Sequence, residues 1–182
     1  MTETNADVTS AIEHLGLRSG EGLSTLELLR GYREQIEAGA ATLENPRAVF
    51  EYIDFFNELV TGTINECERI AAGLRQGVSQ PDIDALRQLA SNAAAEQRRC
   101  LMFRDKCINR PLPDERMRPL LNEISVTTRD QLTAFRDLTA IAAKLEQHLG
   151  PATPPQSQEE KRSFDRRALF TKFLPKTDRG TP

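Results

Sequence analysis

The clearest helical pattern in the sequence runs from Asn45 to Gly77, NPRAVFEYIDFFNELVTGTINECERIAAGLRQG. Asn45 is a favourable helix N-cap, and Pro46 suits the first helical position, where no amide proton is needed. Residues that can pack in a core recur through the stretch at alternating steps of four and three, the spacing of one helical seam. These seam residues are Val49, Ile53, Phe56, Val60, Thr63, Cys67, Ile70 and Leu74. The pattern predicts a helix over residues 46–77, with a seam of about seven turns.

Two further long helices are predicted downstream. The first covers residues 81–109 and ends where Pro111 and Pro113 disfavour a helix. The second covers residues 119–149 and ends at Gly150, a favourable stop. Their seams are Ile83, Leu86, Ala90, Ala93, Gln97, Cys100, Arg104 and Cys107, and then Leu121, Ile124, Thr128, Gln131, Phe135, Leu138, Ala142, Leu145 and Leu149. Because the loops are short, the three long helices should run up, down and up.

Two short helices are predicted before the long ones. An apolar face that starts at Val8 stops near Gly16. Ser24 and Glu27 have the spacing of a capping box, which marks the start of the second short helix. Residues 1–6 are polar and are predicted to be disordered.

No stretch alternates as a β-strand does, so the predicted fold class is all-α. We expect an elongated antiparallel four-helix-type bundle over residues 7–150, with the two short helices filling the fourth position. Residues 151–158 form a Pro-rich linker and residues 159–182 a flexible, basic amphipathic tail. The tail has seven Lys/Arg and four Asp/Glu, a net charge of +3. Because the whole chain has a net charge of −3, the residues before the tail carry −6.

The tail is the first candidate binding site. A solvated tail has no need for five large apolar residues within eleven positions, and such a segment can fold as it binds a partner protein. The predicted partner-binding residues are Phe164, Leu169, Phe170, Phe173 and Leu174. Two alternatives remain open, which are docking onto the chain's own bundle and contact with an anionic membrane surface.

Four aromatic residues in the helix predicted over residues 46–77 form the second candidate binding site. Phe50, Tyr52, Phe55 and Phe56 lie within seven positions and spread around most of the helix. One interpretation is that this end of the helix is central and contacts every neighbour. The other is an exposed aromatic patch over residues 50–56 that binds another protein, since aromatic residues are enriched at interface hot spots.

A polar layer across the three long seams is the third candidate. Aligning the helices through their short turns brings four seam residues to similar height: Thr63, Gln97, Thr128 and Gln131. Such a layer can fix the register of apolar seams, or it can form a pocket for a ligand. The same alignment predicts that Arg104 pairs with Asp54 or Glu123.

No motif in the sequence predicts catalytic, cofactor-binding or metal-binding residues. His14 and His148 stand in neither a zinc nor a di-iron spacing, and no phosphate loop or nucleophile elbow occurs. A Cys–His pair remains an alternative only if the fold unites the two residue types. We therefore expect no cofactor. The pI of about 5.5 does not indicate a nucleic-acid partner.

The cysteines point to a reducing compartment. Cys67, Cys100 and Cys107 are odd in number, form no C-x-x-C pair and all lie on seams, which favours free, buried thiols. No apolar run is long enough to span a bilayer, and the N-terminus has no features of a secretory signal. These observations predict a cytoplasmic location.

Together the patterns favour a non-catalytic helical-bundle interaction protein, such as an adaptor, regulator or chaperone-like protein, with a C-terminal docking segment. The alternative is a bundle that binds a small ligand, or performs a minor enzymatic step, at the polar layer. The sequence leaves a homo-oligomer open.

Overall fold

The fold is all-α, as the sequence predicts, in a computed structural model that describes residues 3–149. Within that range there are five α-helices and no β-strand. The helices are α1 (Glu3–Gly39), α2 (Pro46–Leu74), α3 (Gln80–Phe103), α4 (Arg118–Arg136) and α5 (Leu138–Glu146). The predicted linker and tail, with all five of their predicted binding residues, lie outside the described residues.

Local sequence signals set the ends of α2 and the start of α3. The side chain of Asn45 accepts a hydrogen bond from the amide of Ala48 at 3.1 Å, as expected of an N-cap. After Leu74 the chain turns at Gly77, whose φ of +146° is a conformation that residues with a Cβ rarely adopt. The Ser79 side chain then caps α3. The helix predicted over residues 46–77 is therefore present and three residues shorter.

The prediction of two short N-terminal helices is wrong, because α1 is one continuous helix of 37 residues. It also includes residues 3–6, which the sequence predicts to be disordered. Its buried residues continue one seam through the expected break at Gly16: Ala11, Leu15, Ser19, Gly22, Thr25, Leu29 and Ile36. Glycine costs a helix only about 1 kcal/mol relative to alanine, and packing of that seam offsets the cost.

Gly22 also has a packing role in α1. A Cβ at this position would lie 2.9 Å from Cδ1 of Ile64 in α2, closer than carbon atoms normally approach. The absence of a side chain lets the two helices come close together. This is the reason that a glycine stands at a buried position in the middle of a long helix.

Contacts across the helices show that neighbours run in opposite directions. Arg33 in α1 pairs with Asp54 in α2. Arg69 in α2 lies 3.2 Å from Asp82 in α3, near the turn that joins those helices. Thr25 in α1 donates a hydrogen bond to Gln131 in α4. The α2 helix packs closely on α1, whereas its contacts with α3 are sparse, so the α2–α3 side is the more open one.

Two apolar clusters fill the core of residues 3–149. The first lies towards the α1–α2 and α3–α4 connections and includes Ile53, Phe56 and Phe135. The second lies towards the α2–α3 turn and includes Leu15, Ile70 and Leu145. Each of these six side chains is at most 1% exposed, so the predicted seams do form the interior.

The predicted ion pair of Arg104 is wrong. Arg104 is exposed and has no carboxylate partner among residues 3–149, while Asp54 pairs with Arg33. The physical reason is that the buried face steps from Cys100 by three residues to Phe103, not by four to Arg104, so Arg104 faces solvent. A π turn over residues 104–108 then widens the helix, and the next buried residue is Ile108 instead of Cys107.

The single helix predicted over residues 119–149 is divided at Asp137. The amide of Ala140 donates to the Asp137 carbonyl at 2.9 Å, a tighter i→i+3 bond than the α-helical one. The seam nevertheless continues through the break, because Phe135, Leu138 and Ala142 are all buried.

Candidate functional site: the groove between α2 and α3

An open groove of about 620 Å³ lies where α2 and α3 separate. Tyr52, Phe55, Met102 and Phe103 give it an apolar surface, and charged side chains of both helices stand along its edges. Two of the four predicted aromatic-patch residues, Tyr52 and Phe55, are therefore at this groove. Its volume lies in the range of ligand pockets, roughly 300–1,000 Å³, so it has room for a small molecule or for a few side chains of a partner.

Tyr52 forms the floor of the groove and is held on both its ring and its hydroxyl. Its ring stacks on Phe103 with a centroid distance of 4.0 Å and an interplanar angle of 9°. Its hydroxyl oxygen is 2.8 Å from Oγ1 of Thr128 and 3.2 Å from Sγ of Cys100. Burial raises the pKa of the Tyr52 hydroxyl, with the Cys100 contact as the second cause, so it stays protonated and can donate. The floor is thus fixed to the core.

Phe55 and Met102 form the two walls. Phe55 is half-buried, and the Arg99 guanidinium lies 4.0 Å from its ring centroid, a cation–π contact. Arg99 is also 2.5 Å from Glu96, which holds it in place. Met102 is 44% exposed, one of six large apolar side chains that are exposed in the described residues, and methionine adapts its shape to a bound surface.

The charges that remain unpaired at the groove are positive. Of its two carboxylates, Glu96 pairs with Arg99, and Glu51 pairs with the neighbouring Arg47 at 2.7 Å. Arg98 and Lys106 are exposed and have no ion-pair partner in the described part of the chain. This excess stands out because the chain outside its tail is acidic.

The other two aromatic-patch residues lie elsewhere. Phe56 is fully buried in the core, and Phe50 is half-buried beside Arg33, whose guanidinium is 5.3 Å from the ring centroid. The patch predicted over residues 50–56 is therefore not one continuous surface. Helical periodicity directs only part of it towards the groove.

The four residues of the predicted polar layer are not joined to one another by hydrogen bonds in residues 3–149. Thr63 donates to its own helix at the Leu59 carbonyl, 2.9 Å away. Thr128 donates to the Ile124 carbonyl at 2.8 Å and contacts Tyr52. Thr63, Thr128 and Gln131 are buried, and Gln97 is only half-buried.

Gln131 has its partner on α1, a helix that the sequence-based alignment did not include at this height. Thr25 donates to Oε1 of Gln131 at 2.6 Å. Nε2 of Gln131 and Oγ of the α1 residue Ser19 are each buried without a hydrogen-bond partner among residues 3–149. The spacing of Leu15, Ser19, Gly22 and Thr25 is the signal that could have revealed these α1 residues.

None of the three cysteines forms a disulfide within the described residues. Cys67 and Cys100 are buried, and Cys107 is half-buried at the groove. Burial raises the pKa of the Cys67 thiol to about 11, and burial also raises the pKa of Cys107. These environments are typical of packed, unreactive thiols.

The histidines lie away from the groove. Nδ1 of His14 is 2.8 Å from the Ser10 carbonyl oxygen, and Nε2 of His148 is 3.1 Å from Oδ2 of Asp7. Within residues 3–149, no group of three His, Cys, Asp or Glu side chains is placed to hold a metal ion.

Comparison with protein-family models, with curated proteins and with solved structures found no match to this chain. Among the described helices, none combines the length and the apolar character needed to cross a membrane. Function has therefore to be argued from the groove itself.

Proposed function

We propose that this chain is a non-catalytic interaction protein, an adaptor, regulator or chaperone-like protein of the cytoplasm. Its framework is an elongated antiparallel four-helix-type bundle, which the opposite directions of neighbouring helices support. Its binding surface on that framework is the groove between α2 and α3. Its partner is another protein.

The observation that carries the proposal is the combination of exposed Met102 and half-buried Phe55 over a fixed aromatic floor. Leaving large apolar groups in water is unfavourable, and covering them with a partner contributes roughly 25 cal/mol per Å². Anchors in a preformed pocket lose little conformational freedom on binding. The groove offers both features.

The test is the substitution Met102→Glu, with Val126→Glu as the matched control. Met102 and Val126 are 44% and 45% exposed, so a charge costs similar stability at either site. The full chain should capture the same protein partner from its native extract with and without Val126→Glu, and should lose it with Met102→Glu. Equal capture by both variants, with equal melting temperatures, would contradict the proposal.

The tail remains a second proposed binding segment, supported by sequence alone. Changing Phe170 and Phe173 to Ser should abolish capture of the tail's partner and leave the melting temperature unchanged. A lower melting temperature with retained capture would show that these residues stabilise the fold instead.

One observation favours the alternative of a small-ligand site in the core. The Gln131 amide nitrogen is buried without a hydrogen-bond partner in the part of the chain that the structure describes, and such a group costs about 1–3 kcal/mol unless something binds it. A ligand screen by thermal shift tests this alternative. The small-ligand alternative predicts a stabilising compound whose effect disappears in Gln131→Leu. The interaction function predicts no such compound.

A further inference from the structure

The chemistry of the partner can be inferred from Arg98 and Met102 on α3 and from Lys106 in the π turn that follows it. The three residues are spaced four apart along the chain and line the same groove. A cation therefore lies before and after an exposed apolar side chain along the chain, and all three side chains line one groove.

Neither cation is neutralised by another residue of the described part of the chain. The carboxylates that line the groove, Glu51 and Glu96, are engaged by Arg47 and Arg99. Arg98 and Lys106 have no ion pair among residues 3–149. A smaller depression shares Lys106 and Cys107 with the groove and is also lined by Arg110 and Glu44, which are both exposed and without an ion pair in that range.

We propose that the partner of this groove is an acidic amphipathic helix whose large apolar residue contacts Met102 and Phe55. Its carboxylates lie one turn before and one turn after that residue, against Arg98 and Lys106. A helix of this type matches both the apolar floor and the spacing of the cations. The proposal rests on the interaction function proposed for the groove and adds the chemistry of the partner.

Charge selects this occupant over a basic one. Like charges brought together at an interface disfavour a partner, whereas opposite charges speed its association and fix its register. Segments with the composition of residues 159–182, which carry +3, would bring more cations against Arg98 and Lys106. Both kinds of occupant enter the test below as competitors.

The experiment displays a library of helical peptides of about 18 residues, or five turns. Their apolar anchor varies among Leu, Phe and Met, and the flanking positions vary among Glu, Ala and Lys. A peptide that copies residues 159–176 is included. The library is sorted with the labelled full chain, and binding of the enriched peptides is then measured by fluorescence anisotropy.

We expect enrichment of peptides with Glu on both sides of the anchor. Reversing the two cations, in Arg98→Glu with Lys106→Glu, should weaken their binding about tenfold or more. The control is Arg30→Glu with Arg136→Glu, which makes the same change in net charge at exposed cations away from the groove and should bind as the unchanged chain does.

Three outcomes would overturn the proposal. Enrichment of Lys-flanked peptides or of the copy of residues 159–176 would do so. Enrichment without charge preference, lost in Met102→Glu, would overturn the acidic helix and leave the groove as a binding surface. Enrichment of no peptide would count against both the acidic helix and the proposed function.

Discussion

At the scale of single residues, Tyr52 is part of both the core and the candidate site. Its hydroxyl contacts Thr128 and Cys100 in the interior, while its ring forms the floor of the groove. The sequence places Tyr52 in an aromatic-rich stretch but does not reveal this double role. Thr128 is predicted to be a polar core residue and is buried, yet its partner is a tyrosine from an off-seam position.

The Thr25–Gln131 pair gives a prediction at this scale. Thr25→Val should destabilise the fold by about 1–3 kcal/mol, because it removes the one hydrogen bond of a buried amide. Adding Gln131→Leu should recover most of that loss, since two apolar groups need no partner. Chemical denaturation of both variants measures this, and a double variant weaker than Thr25→Val would contradict the pairing.

The thiols give a second residue-scale prediction. With a pKa of about 11, only about one Cys67 thiol in a thousand is ionised at pH 8, so an alkylating reagent should modify Cys107 first. Because the thiolate is the reactive form, labelling of Cys67 should rise about tenfold per pH unit below that pKa. Mass spectrometry assigns the modified residues, and rapid native labelling of Cys67 or Cys100 at pH 8 would show that they are not buried.

Continuity of α1 is the main correction at the scale of elements. Gly16 and the Ser24–Glu27 capping box predict a break, and each is a genuine local signal. The helix continues in spite of these local signals because the α1 seam packs against α2 and α4. A short window of sequence contains no information about that packing. The α2 helix is predicted well because its cap, its proline and an unbroken apolar seam all agree.

Glycine-to-alanine changes test that continuity. Gly16→Ala and Gly20→Ala should each stabilise the fold by about 0.5–1 kcal/mol, because both positions are exposed and a Cβ there meets no atom within 4 Å. Gly22→Ala is the control and should gain less, or lose stability, because its Cβ meets Ile64. If Gly16 and Gly20 instead lay in a loop between two short helices, alanine there would bring no gain in denaturant stability.

At the scale of the whole molecule, heptad seams predict the helices and the core, but they do not predict the groove. Seam positions report what faces the interior, whereas the groove depends on how far α2 and α3 stand apart. Arg98 and Met102 lie off the seam, and Lys106 lies within a π turn that no periodicity predicts. The groove could therefore be found only from the packing of α2 against α3, which the sequence pattern does not give.

Site-specific photo-cross-linking tests the central claim, that a partner protein binds the groove between α2 and α3. A benzoylphenylalanine replaces Met102, Val126 or Phe170, one at a time, in the full chain, which is then irradiated in its native extract. We expect a cross-linked partner from position 102 and none from position 126, although the native side chains at these positions are 44% and 45% exposed. Equal cross-linking at 102 and 126, or a partner cross-linked only from position 170, would contradict the assignment of the binding surface to this groove.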